Sequence, residues 1–496
     1  MAIMGVDVGT TGTKAVAFSL EGNVLGQHYK EYPIASPRPG WMELNPGQVR
    51  AAIEETVAAA ADQARKAGQP VKTIGISSQG EAFVPLDDAG NPLYNIQITL
   101  DNRCRDQLDK IRETLDERAL FELTGHSLSS IYSLPKFLWM AQNEPDLWRR
   151  AAKILCMEDY ACWILGVDPA ISHNLAARTQ VFDMQRLCWS EPMCELAQVR
   201  PEQLSRPLPS GSVSGQVPAS VAGRLNLDSG VAVCTGGHDQ SCGAMGGGAT
   251  SPGLAMYATG TVECITLVWD GFPADTTGWE KNHLNCYPFV QPGRYCSLMF
   301  NLTGGNLLKW YRDTFGADQV ARARQEGLDP YEVICRDLPD GPTDVLVLPH
   351  FTTTGTPWLD DETVGAMTGL RLSTTREEVV KALMEGVTYE MKLNLEMAGS
   401  TAESIAELYA IGGGAKSPRW VQIKADILDR PITTLQVDEV VALGAALLSG
   451  LGAGLIDDAG AATARFVTKG QCLAPAPTRP ARTPNALPSI ANSIQP

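Results

Sequence analysis

No run in the 496 residues approaches the roughly 20 consecutive apolar residues that a membrane-spanning helix requires. The first residues read directly as strand, without the pattern of a secretory leader, so a cytoplasmic location is expected. Basic charge is scarce. Lys and Arg number 40 against 56 Asp and Glu, and the net charge of −16 argues against general binding to nucleic acid or to anionic membranes. The 12 cysteines contain no CxxC pair and the 6 histidines show no ligand spacing, so no zinc site is recognisable and reduced, mostly buried thiols are expected. No GxGxxG fingerprint supports a nicotinamide enzyme, and no basic helix-turn-helix extension supports a transcriptional regulator.

What is present is an ordinary globular composition, 44% hydrophobic and 19% charged, on a chain long enough for two large α/β domains. The most informative stretch is Met4–Lys14, MGVDVGTTGTK. An apolar strand meets the turn Gly9-Thr10-Thr11-Gly12 and continues into a second strand at Ala15–Leu20. Glycines at such a tip let backbone N–H groups approach an anion, and Thr10, Thr11 and Lys14 add donors and charge. Asp7, at the mouth of the turn, is suited to holding a hydrated Mg²⁺ against phosphates. A structural hairpin is the plainer reading of the same residues. Leu254–Ile265, with Thr259-Gly260-Thr261 at its centre, repeats the strand–turn–strand pattern about half a chain later, which predicts a duplicated fold gripping one polyphosphate from both sides.

Between these hairpins, Asn23–Tyr32 reads as a strand, Pro33–Pro46 as a loop, and Pro46 to about Ala67 as an alanine-rich helix capped by Asn45 and stopped by Gly68. Val71–Ser77 is a buried strand followed by Gln79, Glu81, Asp101 and Arg103, which suit a polyhydroxylated ligand beyond a strand's carboxyl end. A solvated loop with Arg103 paired to Asp101 is the competing reading. Residues 130–199 read as mainly helical, with Pro145–Leu165 as one segment, Ala170–Asp183 as a hairpin or loop insertion, and Pro201–Val217 as a surface connection. Val231–Thr235 is a strand that ends in Gly236-Gly237-His238-Asp239-Gln240, where an Asp at a strand-to-helix junction projects into a cleft. Asp239 is the general-base candidate, with His238 as an orienting or packed neighbour. In the second half, Tyr295–Asn301 leads to Gly304-Gly305 and a helix. Ser404–Ile411 leads to Gly412-Gly413-Gly414 and a helix from Pro418, a turn that lets a flat ring lie on the backbone.

Taken together these segments resemble the FGGY family of carbohydrate kinases. The matching pieces are GVDVGTTGTK at Gly5–Lys14, GWMELNP at Gly40–Pro46, GISSQGEAFVPLD at Gly75–Asp87, LDNR at Leu100–Arg103, GGHDQSCGA at Gly236–Ala244, ATGTVE at Ala258–Glu263 and GGGAKSPRWVQIKADILDRP at Gly412–Pro431. The resemblance implies an α/β chain of two actin-like (ribonuclease H-like) domains with ATP, Mg²⁺ and a sugar in the cleft between them. It implies residues 1–249 as the sugar-binding domain with the base, 250–470 as the nucleotide domain and 471–496 as an extended tail. By this likeness Asp239 deprotonates the attacking hydroxyl and Asp7 positions Mg²⁺. Thr10, Thr11 and Lys14 face the phosphates from one side and Thr259, Gly260 and Thr261 from the other. Gly413, Gly414 and Ser417 border the adenosine, with Gly304 and Gly305 nearby, while Gln79, Gly80, Glu81, Asp101, Arg103 and Gln240 fall in the sugar region.

The chain departs from xylulose kinases where they show Gln-Met-His-Gly, because it has Gln79-Gly80-Glu81-Ala82. That is nearer the Gln-Arg-Glu of glycerol kinases, with Gly80 in place of their Arg. The expected acceptor is a ketopentose such as xylulose or a pentitol, with glycerol or a hexose-derived substrate behind it. A non-catalytic sugar or nucleotide sensor on the same scaffold is the alternative of another class. Neither nucleic acid nor a membrane is an expected partner, and a homodimer is left open.

Overall fold

Two sheets carry the chain, and each is built on the same plan. The structure is a computed structural model that describes residues 1–476 apart from 361, 400, 401, 403 and 438. In the first sheet β1 (Ala2–Val8), β2 (Gly12–Ser19) and β3 (Val24–Glu31) form an antiparallel meander. After α1 (Pro46–Lys66), β4 (Val71–Ser78) returns parallel to β1. The sheet is completed by β5 (Val213–Gln216) and β6 (Ala232–His238), giving the order β5-β6-β4-β1-β2-β3. A helix, α2 (Asp239–Gly246), follows β6 directly.

The second sheet repeats the plan. Its strands are β7 (Leu254–Thr259), β8 (Glu263–Asp270), β9 (Tyr287–Pro288), β10 (Arg294–Asn301), β11 (Glu407–Ile411), β12 (Ile432–Leu435) and β13 (Lys469–Leu473), in the order β9-β10-β8-β7-β11-β12-β13. β7, β8 and β10 are antiparallel, β11 pairs parallel with β7, and β12 pairs parallel with β11, just as β4 and β6 follow β1. The duplication expected from the two turn sequences is therefore present as a repeated mixed-sheet topology, the α/β arrangement of an actin-like fold.

Local sequence accounts for most elements. Asn45 Oδ1 accepts from the backbone N–H groups of Gly47 at 2.9 Å and Gln48 at 3.2 Å, and Pro46 opens α1 where its missing N–H costs nothing. Val49, Ile53, Val57, Ala60 and Ala64, spaced at helical period, bury the face of α1 that packs on β2 and β3. The second half's long helix, α3 (Arg376–Met397), opens with a capping box between Thr375 and Glu378.

One contact ties the end of the chain to the first sheet. The helix α4 (Val440–Gly452) lies on β1, β4 and β6 and against α2. It lies so close that a Cβ on Gly5 would stand 1.8 Å from the Ala442 carbonyl oxygen, and one on Gly75 would stand 1.9 Å from that of Ala445. Gly5 and Gly75 are register partners, so the two strands together form a side-chain-free track for the helix. Gly75→Ala is expected to destabilise by about 2–3 kcal/mol, because backbone cannot yield as a side chain does, and a lowered urea midpoint at constant slope would show it.

Several expectations are corrected. Pro145–Leu165 is not one helix: Pro145–Arg150 and Met157–Ile164 are helical, but Lys153–Cys156 is a strand paired with Phe83–Leu86, where Ile154 and Leu155 are buried. Pro201–Val217 is more than a surface connection, because it contains Arg206–Leu208, paired with Ala170–Ser172, and the edge strand β5. Its few apolar residues reflect an edge with one side to solvent. Ala170–Asp183 is neither a hairpin nor a loop insertion. It runs strand Ala170–Ser172, helix His173–Ala177, then a short strand at Phe182–Asp183, and is almost wholly buried. Residues 471–473, expected in the tail, pair within β13, and 477–496 lie outside the described residues. Among the described residues no helix is long and apolar enough to cross a membrane.

Candidate active site

The carboxyl ends of β1, β4 and β6 and the start of β2 place four positions in one row. Lys14 is the cross-strand partner of Asp7, Asp7 of Ser77, and Ser77 of Gly237. With strands about 4.8 Å apart, Asp7 and the start of the Gly237–Asp239 turn lie roughly 10 Å apart, on either side of the strand that carries Ser77. Asp7 Oδ1 is buried without a hydrogen-bond partner. Burial first, and then the charge of Asp239, push the Asp7 carboxyl up to about 7 against the pull of Lys14.

Asp239 owes its place to a bulge. The register between β6 and β4 slips between Thr235 and Gly237, and a Cβ on Gly236 would sit 2.1 Å from the Ile76 carbonyl oxygen. The slip turns the strand end outward, so that Asp239 becomes the first residue of α2. Two side chains that sequence reading missed hold this turn. Glu158 accepts from Gly236 N–H at 2.7 Å through one oxygen and from Ser172 through the other, while Asn174 accepts from His238 N–H at 2.8 Å and donates to Ser241 and to the Pro288 carbonyl. The Asp239 side chain retains 29% exposure although its Oδ1 is buried and unpartnered, so the open part is the rest of the group. Burial pushes its pKa up to about 6, restrained by the Gln240 peptide N–H and by Arg178. His238 Nε2 lies 3.3 Å from Asp239 Oδ1, but burial and the Arg178 charge hold the imidazole neutral, so the pair is not ionic.

The first turn is braced from within. Thr10 Oγ1 donates to Gln79 Oε1 at 3.1 Å, and Gln79 Nε2 donates to the Gly9 carbonyl at 3.1 Å, as does the Tyr32 hydroxyl. Thr11 stands exposed at the tip. Lys14 Nζ lies 2.9 Å from both carboxylate oxygens of Glu439, the residue before α4.

In the second half three glycine segments converge. Gly305 N–H donates to the Gly260 carbonyl at 2.9 Å, and Cβ atoms on Gly304 and Gly414 would crowd Thr261 and Thr259 respectively. Thr259 Oγ1 is spent on the Ile411 carbonyl, whereas Thr261 is exposed. Gly413 has open space where a side chain would be, and Ser417 caps the helix Pro418–Leu428 through Trp420 N–H.

Models of the FGGY carbohydrate kinase N-terminal and C-terminal domains match residues 2–246 and 259–453. The chain belongs to the FGGY family of carbohydrate kinases. It is 28% identical over 469 residues to a xylulose kinase of Lactococcus lactis, covering 94% of this chain and 90% of the relative. It is 26% identical over 459 residues to a gluconokinase of Bacillus subtilis, covering 92% and 88%. The crystal structure of a ligand-bound xylulose kinase from Lactobacillus acidophilus superposes with a TM-score of 0.87 at 22% identity, covering 96% of this chain and 94% of that one.

Within this FGGY kinase the side chains expected at the sugar divide. Asp101 and Arg103 are paired with each other, and Arg103 also donates to Glu43 at 2.7 Å and stacks 3.7 Å from the Trp41 ring centroid with no exposure. Their hydrogen-bonding capacity is turned inward, which favours the pairing read as the alternative, buried rather than solvated. Gln79 braces the Gly9–Gly12 turn. Gly80, Glu81 and Gln240 stay near Asp239: Gly80 lies against Arg178 and His238, and Gln240 Oε1 is buried without a partner. Glu81, at φ 62, is ion-paired with Arg178, 97 residues away. Arg178 lies in the Ala170–Asp183 segment, where nothing in the local sequence points to this site.

The residues fit an ATP-bound Mg²⁺. Mg²⁺ retains waters and takes one or two carboxylates beside phosphate oxygens, and Asp7 offers an unpartnered carboxylate oxygen. Among the described residues no group of three or more His, Cys, Asp or Glu side chains is placed to hold a metal ion.

Proposed function

We propose that this chain transfers the terminal phosphoryl group of ATP to a hydroxyl of a neutral ketose or polyol, with a ketopentose such as xylulose or a pentitol as the leading acceptor. The observation that carries the reading is the set of buried, unpartnered polar atoms on Asp7, Arg178, His238, Asp239 and Gln240 around the ends of β1, β4 and β6. A folded protein tolerates such a concentration where a polar ligand completes the hydrogen bonds.

Asp239 accepts the proton of the attacking hydroxyl as its oxygen bonds to phosphorus, and the α2 N-terminus favours the carboxylate until then. His238, neutral and 3.3 Å away, leaves that carboxylate its charge. Thr11 and Thr261 and the peptide groups of both turns bind phosphate oxygens, and the glycine segments around Gly260, Gly304 and Gly413 receive the nucleotide. Bound Mg²⁺, held at Asp7, would supply charge neutralisation on those oxygens. Little covalent work falls to the protein, so this positioning carries most of the catalysis.

A neutral acceptor is favoured because the cation that acts on Asp239 is Arg178, whose charge Glu81 already balances. The xylulose kinase names of relatives at 25–28% identity support a ketopentose, and the gluconokinase and glycerol kinase among them mark the alternatives to be tried. ADP release measured against ketoses, polyols, aldoses and aldonates tests the proposal. Stimulation by a ketose or pentitol is expected, and stimulation by aldonates alone would overturn the acceptor class.

The pH dependence follows from the raised Asp239 pKa. The base works as carboxylate, so kcat/KM should fall as pH drops through about 6, and with more than unit slope because Asp7, pushed up to about 7, must also be ionised to hold the metal, rather than holding to the usual carboxylate range near 4. A flat profile down to pH 4.5 would exclude Asp239 as a base so perturbed.

A further inference from the structure

Sequence reading gives the acceptor-binding role at this end of the site to Glu81, yet the spare hydrogen-bonding capacity lies on its partner. Glu81 Oε2 accepts from Thr99 at 2.7 Å and Oε1 accepts from Arg178. Arg178 uses Nε and Nη2 on that carboxylate, while Nη1, on a residue only 3% exposed, has no partner.

The surroundings hold the guanidinium in one place. Its centre lies 5.4 Å from the ring centroids of both Tyr132, in the first half of the chain, and Tyr287, on the second sheet. His126 packs on both rings. On a further side is Gly80, where a Cβ would stand 2.7 Å from Arg178 Nε and 3.0 Å from His238 Cδ2. Residue 80 must lack a side chain for this guanidinium to lie against the backbone beside His238, which in turn neighbours Asp239.

We propose that Arg178 determines acceptor specificity: its Nη1 donates a hydrogen bond to an oxygen on the carbon chain of a neutral sugar, and the carbonyl oxygen of a ketose is the group that suits it best. A guanidinium only donates and a carbonyl oxygen only accepts, whereas a polyol hydroxyl must also place its own proton. Glu81 cancels the net charge, so the donor is matched to a neutral oxygen rather than to a carboxylate. Sites built to hydrogen-bond one substrate oxygen discriminate against analogues that satisfy it poorly. This inference rests on the phosphotransfer reading above and adds to it the residue that selects the acceptor.

The test compares a ketose with the polyol obtained by reducing its carbonyl, in the unsubstituted enzyme and in two variants. Arg178→Lys keeps a cation opposite Glu81, which protects the fold, but loses the fork. Gly80→Ala leaves Arg178 in the sequence and displaces it sterically. In both, the KM for the ketose should rise by about 10-fold or more and the ketose-to-polyol ratio of kcat/KM should fall towards one, while the KM for ATP stays within about 2-fold. An unchanged ratio in both variants, a parallel rise in the ATP and sugar constants, or a preference of the unsubstituted enzyme for the polyol would overturn the assignment. Failure of every neutral sugar to release ADP from the unsubstituted enzyme would remove the phosphotransfer reading itself, and this inference with it.

Discussion

Asp239→Asn is expected to lower kcat by about 10²–10⁴-fold while leaving the affinity for ATP within about 2-fold. The amide keeps the shape of the side chain at the start of α2 but cannot take a proton. The scaffold around it is independent of its charge: Glu158 holds Gly236, Asn174 holds His238, and the glycine contacts between α2 and α4 hold the helix. Stopped-flow or coupled turnover together with nucleotide titration separates the two effects. A variant with near-normal kcat would assign the proton to another group, and a variant that loses ATP affinity equally would make Asp239 a structural residue.

Lys424→Met is expected to cost about 3–5 kcal/mol of stability, because it leaves a carboxylate charged and alone in the interior. Lys424 and Glu263 are ion-paired with no exposure on either side chain, and the ammonium also lies 4.2 Å from the Tyr257 ring centroid and 4.7 Å from that of Trp420. Glu263 begins β8 directly after the Thr259–Thr261 turn, and a Cβ on Gly304 would meet its side chain at 2.9 Å. The pair therefore supports the turn that is expected to face the nucleotide. Lys424→Met combined with Glu263→Leu should recover most of the stability, since well-packed apolar residues often replace a buried pair without loss. Chemical denaturation of the single and double variants reads the coupling, and additive losses would show that the pair is not the supporting element.

The two turns were legible in the sequence because their chemistry is local. Apolar alternation, glycines at the tip and a hydroxyl or two are contained within about a dozen residues, and the same holds for Asn45 and Pro46 at the start of α1. What was not legible depends on partners far along the chain. Glu81 meets Arg178 across 97 residues, His238 meets Asn174 across 64, and Lys14 meets Glu439 across 425. Asp101 and Arg103 show the limit from the other side. Their types suit a sugar, but Glu43, Trp41 and the Met42 N–H close around them, and no spacing rule within Leu100–Arg103 contains that information. Lys153–Cys156 lies between two helical segments, Pro145–Arg150 and Met157–Ile164. Only its pairing with Phe83–Leu86 makes it a strand.

The central claim is that a sugar hydroxyl, deprotonated by Asp239, receives the terminal phosphoryl group of ATP. The most direct measurement follows isotope from γ-labelled ATP in the presence of a ketopentose and separates sugar phosphate from inorganic phosphate. The account predicts label in the sugar phosphate with the unsubstituted enzyme and almost none with Asp239→Asn. Label appearing only as inorganic phosphate, or in the sugar at equal rates with both proteins, would contradict it.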